Sequence, residues 1–176
     1  HSAAKAAQLT LGNYGTAYSS IETWHLFTNS IRFATGTALF AFLVGTVLAW
    51  MNERTNTPYK ALFFALSIIP LIIPGIRFTV AWILLGSPKI GLINLALQGL
   101  FGTDHVFVDV YSMWGMIWVD GLHYSPMAFL LMTAAFRSMD PSLEESAMMS
   151  GANIFQVAWN VTLKLTWPAI FATLLI

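Results

Sequence analysis

Apolar residues in this chain fall in runs of about twenty, separated by short polar connectors. The clearest run is "FATGTALFAFLVGTVLAWM", Phe33 to Met51, which holds no charge. About 20 mostly apolar residues are enough to cross the hydrocarbon core of a bilayer, so the pattern predicts a transmembrane helix over about 30–51. Each of its Leu, Phe and Val residues favours insertion by roughly 0.3–0.6 kcal/mol. A second run over about 61–85, "ALFFALSIIPLIIPGIRFTVAWILL", is interrupted by Pro70, Pro74 and Gly75. Such breaks are tolerated in a membrane helix whose neighbours satisfy the freed backbone groups. A third span is predicted over about 111–136, carrying Asp120, His123 and Pro126, and a fourth opens near Trp167 and is cut short at 176.

The connectors set the orientation. The short "NERTNTP" connector brings Arg54, with Lys60 just beyond it, and the longer one brings Arg137 and Lys164. The positive-inside tendency places both in the cytoplasm. Alternation of spans then turns residues 1–29 and 86–110 outward, although Lys5 and Lys89 lie there. In the outer segment "SPKIGLINLALQGLFG", Ile90, Ile93, Leu97 and Leu100 recur near helical spacing, which predicts either a short interfacial helix or a packed loop. Trp24, Trp50, Trp82, Trp114 and Trp118 fall close to span ends, where an interfacial aromatic belt accounts for most of them.

Composition agrees with the pattern. Hydrophobic residues make up 57% and charged residues 9% of the chain, against about 25% charged in soluble domains. The predicted fold class is an all-α, polytopic membrane protein. The formal net charge is zero, so no basic footprint for a nucleic acid exists. Cysteine is absent, which excludes disulfide frameworks and thiolate metal sites. The chain opens on His1 and stops inside the apolar run "PAIFATLLI", so we expect it to be a segment of a longer protein.

The connector over 137–166 has the most structure. Asp140 can cap a helix with Pro141 at its first position, or Ser142 can cap with Glu145 in a capping box. Glu144 and Glu145 both favour the positive end of the helix dipole. Gly151 permits the left-handed residue that ends such a helix. Ile154, Ala158, Val161 and Leu165 are spaced for one face of a second helix. A helix, a glycine hinge and a second helix on the cytoplasmic side suit a groove on a soluble partner.

Ionisable residues inside the spans are the candidates for a solute path. A charge at the bilayer centre costs about 2.5–3.5 kcal/mol or more, so Arg77, Asp120 and His123 should face the bundle interior or an outer vestibule. Asp120 and His123 share a helical face; either Arg77 pairs with Asp120 within the membrane or one of them lines the pathway. The histidines His1, His25 and His105 have no ligand spacing between them, so no metal site is predicted. No catalytic dyad or triad stands out, which weighs against an intramembrane enzyme. An ion-coupled secondary transporter, with Asp120 and His123 carrying protons, is the alternative transport reading, but it leaves the 137–166 connector unexplained.

That connector resembles the EAA loop of ABC importer permeases, the membrane subunits of binding-protein-dependent transport systems. The matching residues are Glu145-Ser146-Ala147, then Gly151-Ala152, then Val161-Thr162-Leu163 and later Pro168. Ser146 replaces an Ala of that pattern, Val161 an Ile and Lys164 a Pro. The stretches "NSIRFATGTALFAFLVGTVLAWMNERTNTP", "IIPLIIPGIRFTVAWILLGSPKIGLINLAL" and "MDPSLEESAMMSGAN" look like the ferric-iron subgroup, which is similar to permeases for polyamines and thiamine. The resemblance implies a type I importer permease bundle with several passes through a bacterial cytoplasmic (inner) membrane. It implies that Glu144, Glu145, Ser146, Ala147, Gly151 and Ala152 form the ATPase-coupling loop. The implied partners are cytoplasmic ABC ATPase subunits, a periplasmic or extracellular solute-binding protein, a second permease domain and the lipid bilayer, with no nucleic acid. ATP and Mg would be held by the ATPase partner, no cofactor is expected in this chain, and the chain is not expected to be an enzyme. It contains no phosphate-cradling "GxxxxGK[ST]" sequence, which agrees with that division of labour.

Overall fold

A computed structural model of the chain describes Gly15 and residues 18–174. His1, Lys5, most of the outer N-terminal segment and the last two residues of the fourth span lie outside the described residues. Every regular element within them is helical.

The first helix, α1 (Ile21–Arg54), starts where Ser20 accepts a hydrogen bond from the Thr23 amide at 3.3 Å. At 1.5 Å per residue it is about 51 Å long, so it extends well beyond a hydrocarbon core of about 30 Å. It contains the predicted 30–51 span and begins earlier. Its buried positions, Thr37, Ala41, Gly45, Ala49 and Asn52, form one stripe of small residues with nearly regular spacing.

That stripe packs on α5 (Met113–Ser138), the helix of the predicted third span. Ile117 sits against Gly36, Phe40 against Gly121, and Ala128 with Phe129 against Gly45. Contacts that ascend together along both helices make α1 and α5 parallel, as two spans in the same direction must be. Lipid tails give apolar helices no hydrophobic reason to associate, so close approach of small residues supplies the attraction. A Cβ at Gly45 would lie 2.6 Å from the Phe129 amide nitrogen and 2.7 Å from the Ser125 carbonyl oxygen. These are backbone atoms and cannot move aside. At Gly36 the obstructing atom is the Cδ1 end of the flexible Ile117 side chain.

The predicted 61–85 span is not one straight helix. It divides into α2 (Lys60–Ile72) and α3 (Gly75–Gly86), which meet at 100°. Pro74 forces its predecessor out of the helical region, and Ile73 accordingly has φ −79 and ψ 123. Two non-helical residues are enough to redirect the chain. Among the described residues, α1 alone is long and apolar enough to cross a membrane, and α2 with α3 qualifies only as a bent pair. Helix α5 has the length, but Asp120, His123 and Ser125 make it more polar. It is also the helix with the largest buried face, including the fully buried Phe129 and Met132.

Of the two readings for the 86–110 segment, the helical one is present as α4 (Leu92–Phe101), and Gly102 ends it in the left-handed region at φ 62. Its most buried residue is polar. Asn94, 1% exposed, donates through Nδ2 to the carbonyls of Ser87 and Val108 and accepts through Oδ1 from the amides of Phe107 and Val108. All four hydrogen-bonding capacities of the amide are used, and the 103–110 strap is fastened to the helix. Trp82 and Trp118 are not simple belt residues: they meet edge to face at 6.4 Å, and Trp118 also packs on Phe40.

A hydrophobic core joins Ala49, Phe129, Met132 and Phe136 to Ile170 of α9 (Trp167–Leu174), the described part of the predicted fourth span. Glu53 and Arg137, just beyond the apolar stretches of α1 and α5, form an ion pair of 2.9 Å. Hydrogen bonding from Arg137 holds the Glu53 carboxyl below its ordinary range.

Two outcomes are expected. Gly45→Ala should destabilise the protein by about 1–3 kcal/mol through overpacking, and Gly36→Ala should cost less, as read by thermal unfolding in detergent. Glu53 has a lowered folded pKa, so its contribution is full above the unfolded carboxylate pKa and is lost as pH falls through the folded value. Glu53→Gln should therefore lower thermal stability at pH 7, and the difference from wild type should shrink toward zero on acidification below pH about 4.

Candidate coupling site

The loop over 137–166 is built almost wholly from local signals. Asp140 caps α6 (Pro141–Met149) by accepting from the Ser142 amide at 2.9 Å, with Pro141 in the first turn. Of the two predicted caps, Asp140 is the one used. This hydrogen bond holds the Asp140 carboxyl below its ordinary range. At the other end Gly151 has φ 92, with Gly151 N donating to Met148 O and Ala152 N to Ala147 O. This is the Schellman pairing, which a residue in the left-handed region makes possible.

Asn153 and Gln156 then cap each other: each backbone amide donates to the other's side-chain oxygen, at 2.9 and 2.8 Å. This reciprocal box starts α7 (Ile154–Val157). The predicted helical face does not continue. A π-helical turn, Ala158–Thr162, intervenes before α8 (Leu163–Leu165). The extra residue in the turn shifts the phase, so the buried positions are Val157, Thr162, Thr166 and Ile170. Val161 is half-buried and Leu165 exposed, while the side chains of Ile154 and Ala158 lie outside the described residues.

The adjacent acids separate. Glu145 is exposed, along with Leu143, Ser146, Met148, Met149 and Ser150, whereas Ala147 is half-buried. Glu144 points inward. Its Oε1 accepts from Thr162 Oγ1 at 2.7 Å, and its Oε2 lies 3.5 Å from Arg54 Nε. Arg54, at the end of α1, also donates through Nη2 to the carbonyls of Phe136, at 2.8 Å, and Met139, at 3.5 Å. The Arg54 and Glu144 side chains are only 11% and 12% exposed. The 3.5 Å approach is an ion pair by distance, yet it lacks hydrogen-bond geometry, and Arg54 Nε has no hydrogen-bond partner. Removing one partner of a well-buried pair costs about 3–5 kcal/mol; here the two carbonyls still hold the guanidinium, so the lower end applies. In the sequence Arg54 carried only the orientation signal. Its distance along the chain from Glu144 hid this role.

The intramembrane candidates behave differently from one another. Asp120 and His123 line one cavity of about 490 Å³, with Thr37, Leu71, Tyr124 and Met127 among its walls. His123 also lies against Gly75 at the α2–α3 break and packs on Phe78 at 5.1 Å, while its Nδ1 is buried without a hydrogen-bond partner. Arg77 does not pair with Asp120. It is exposed on α3, because the bend after Pro74 redirects that helix. Among the described residues no group of three or more metal-ligating side chains occurs.

Several transport proteins are similar to this chain. The molybdenum transport system permease protein ModB of Escherichia coli K12 is 28% identical over 148 residues, 84% of this chain and 62% of ModB. The trehalose/maltose transport system permease protein MalF of Thermococcus litoralis is 24% identical over 94% of this chain and 57% of MalF. The ferric transport system permease protein FbpB of Actinobacillus pleuropneumoniae is 29% identical over 78% of this chain and 20% of FbpB. The chain thus spans about three-fifths of the length of ModB and MalF. Its fold matches the crystal structure of a bacterial ABC transporter involved in the import of the acidic polysaccharide alginate, with TM-score 0.76 and 21% identity over 97% of this chain and 60% of that one. The family model described as "binding-protein-dependent transport system inner membrane component" matches residues 38–176. That range takes in the C-terminal half of α1, the bent pair, α5 and the entire 137–166 loop, and the chain belongs to this family.

Proposed function

We propose that this chain is the membrane-spanning part of an ATP-driven ABC importer, forming part of the solute pathway and coupling it to a cytoplasmic ATPase through α6. The observation that carries the reading is the geometry of α6: a short helix, capped at both ends and presenting Leu143, Glu145 and Met149 outward, within the range matched by the family model. An exposed methionine and leucine beside one carboxylate suit a groove on a soluble subunit. ATP hydrolysis belongs to that subunit, and solute delivery to a periplasmic or extracellular binding protein. A second permease domain completes the pathway.

The cavity lined by Asp120, His123, Tyr124 and Thr37 is the assigned stretch of pathway in this chain. Its donors are carboxylate, imidazole and hydroxyl, suited to a small polar or ionic solute. Ferric iron is the finer reading, supported by the resemblance to the ferric-iron subgroup and by the similarity to FbpB. The similarity to ModB makes molybdate the comparison solute.

Replacing Gly151 by Val places a β-branched residue at φ 92 and should lower copurification of the ATPase with the full-length permease by about tenfold, as should Glu145→Ala. Retention of the ATPase by both variants would overturn the coupling assignment. In the intact transporter, Asp120→Asn and His123→Ala should each cut uptake of radiolabelled iron by about tenfold or more with little change in membrane abundance. Uptake of molybdate instead of iron would replace the solute assignment. Uptake that survives ATP depletion and follows a proton gradient would favour the ion-coupled alternative.

A further inference from the structure

The two neighbouring acids of α6 cannot share one task, because one is exposed and the other is enclosed. From the enclosed one we infer that Glu144, gripped by Arg54 and Thr162, is the positioning residue that passes motion of the coupling helix to the pathway helices. This inference rests on the importer reading and adds to it the joint through which force leaves α6.

Glu144 touches three other parts of the fold through two side chains. Arg54 belongs to the last turn of α1 and donates to Phe136 O and Met139 O, where α5 ends. Thr162 closes the π-helical turn and leads through α8 into α9, with its hydroxyl on Glu144 Oε1. A displacement of α6 therefore acts on α1, α5 and the route to α9 together. The first two are interlocked at Gly36, Gly45 and Gly121, so they move as one body. Both contribute walls to the cavity that holds Asp120 and His123.

The joint is held closely on its Thr162 side and more loosely on its Arg54 side. Thr162 holds one carboxylate oxygen at 2.7 Å, while the other stands 3.5 Å from an Arg54 Nε that has no hydrogen-bond partner. Beside it lies an open cavity of about 320 Å³ lined by Trp50, Arg54, Asn56, Glu144, Met148 and Val157, among others. A modest approach of Glu144 would turn the ion pair into a hydrogen-bonded one. Coupling needs an element with two arrangements that the effector favours unequally; the contact as it stands is one of them, and the hydrogen-bonded form is the other that the inference requires. The π-helical turn adjoining it is of a kind found frequently at functional sites.

The test uses the full-length permease assembled with its ATPase and second permease domain in proteoliposomes. These 176 residues contain no cysteine, so Met127→Cys gives a single reporter at the wall of the larger cavity once any cysteines elsewhere in the assembled complex are replaced by serine. Its rate of maleimide labelling is compared without nucleotide and with ATP and vanadate. In the parent the rate should change about tenfold. In Glu144→Gln the change should fall below about twofold while the ATPase copurifies at the parental yield. Thr162→Val, nearly isosteric and lacking the donor, should behave alike and takes over the reading if Glu144→Gln is poorly inserted. A full nucleotide response in either well-inserted variant overturns the inference, as does loss of the ATPase from either, which would make Glu144 a docking residue. Absence of ATPase association in the parent itself would instead overturn the importer reading, and this inference with it.

Discussion

The parallel contact between α1 and α5 is the constraint on which the rest of this structure depends. In a bilayer, burial against another helix gains little over burial in lipid, so the contact must come from close packing. Gly36 and Gly45 on α1 and Gly121 on α5 let the two helices approach until a side chain on one covers the backbone of the other. Once these helices are held together, their C-terminal ends are held together too. That places Arg54 beside the Phe136 and Met139 carbonyls and Glu53 beside Arg137.

This pairing also explains the distribution of polar residues. Helix α5 carries Asp120 and His123 near its middle and has the largest buried face. Asp120 and His123 line a cavity whose walls include α1, α5 and Leu71 of α2, just ahead of the 100° turn at Pro74. A straight second span would have filled that space with its own side chains.

What could be read from the sequence was whatever depends on near neighbours. Asp140 with Pro141 and the left-handed Gly151 were legible because capping and glycine terminators act within a few residues. The α1 span was legible because apolar length alone decides it. The Ile154–Leu165 face failed for a specific reason: a 3.6-residue period presumes an unbroken α-helix, and the π-helical turn inserts a residue that moves the buried face to Val157, Thr162 and Thr166. The Arg77–Asp120 pairing failed because prolines announce a break but not its angle. The roles of Arg54 and Asn94 depend on partners far along the chain or across a loop, and no spacing rule reaches them.

On the proposed importer reading, α6 needs one surface to receive force and another to pass it on, and it has an exposed and an enclosed carboxylate at successive positions. Successive positions on a helix are 100° apart, so Glu144 and Glu145 are directed to different sides by geometry alone. The helix therefore needs no extra length to serve two partners; it needs its register fixed. The Asp140 cap and the Gly151 terminator fix it from both ends, and the Thr162 hydroxyl fixes it from the side. Between that joint and Asp120 runs the rest of α5, about 24 Å of helix at 1.5 Å per residue, packed along its length on the glycine stripe of α1. A rod supported in that way transmits rotation and translation with little internal loss. The small residues that hold the bundle together are thereby the same ones that, on the proposed reading, make it stiff enough to be driven from the α6 end.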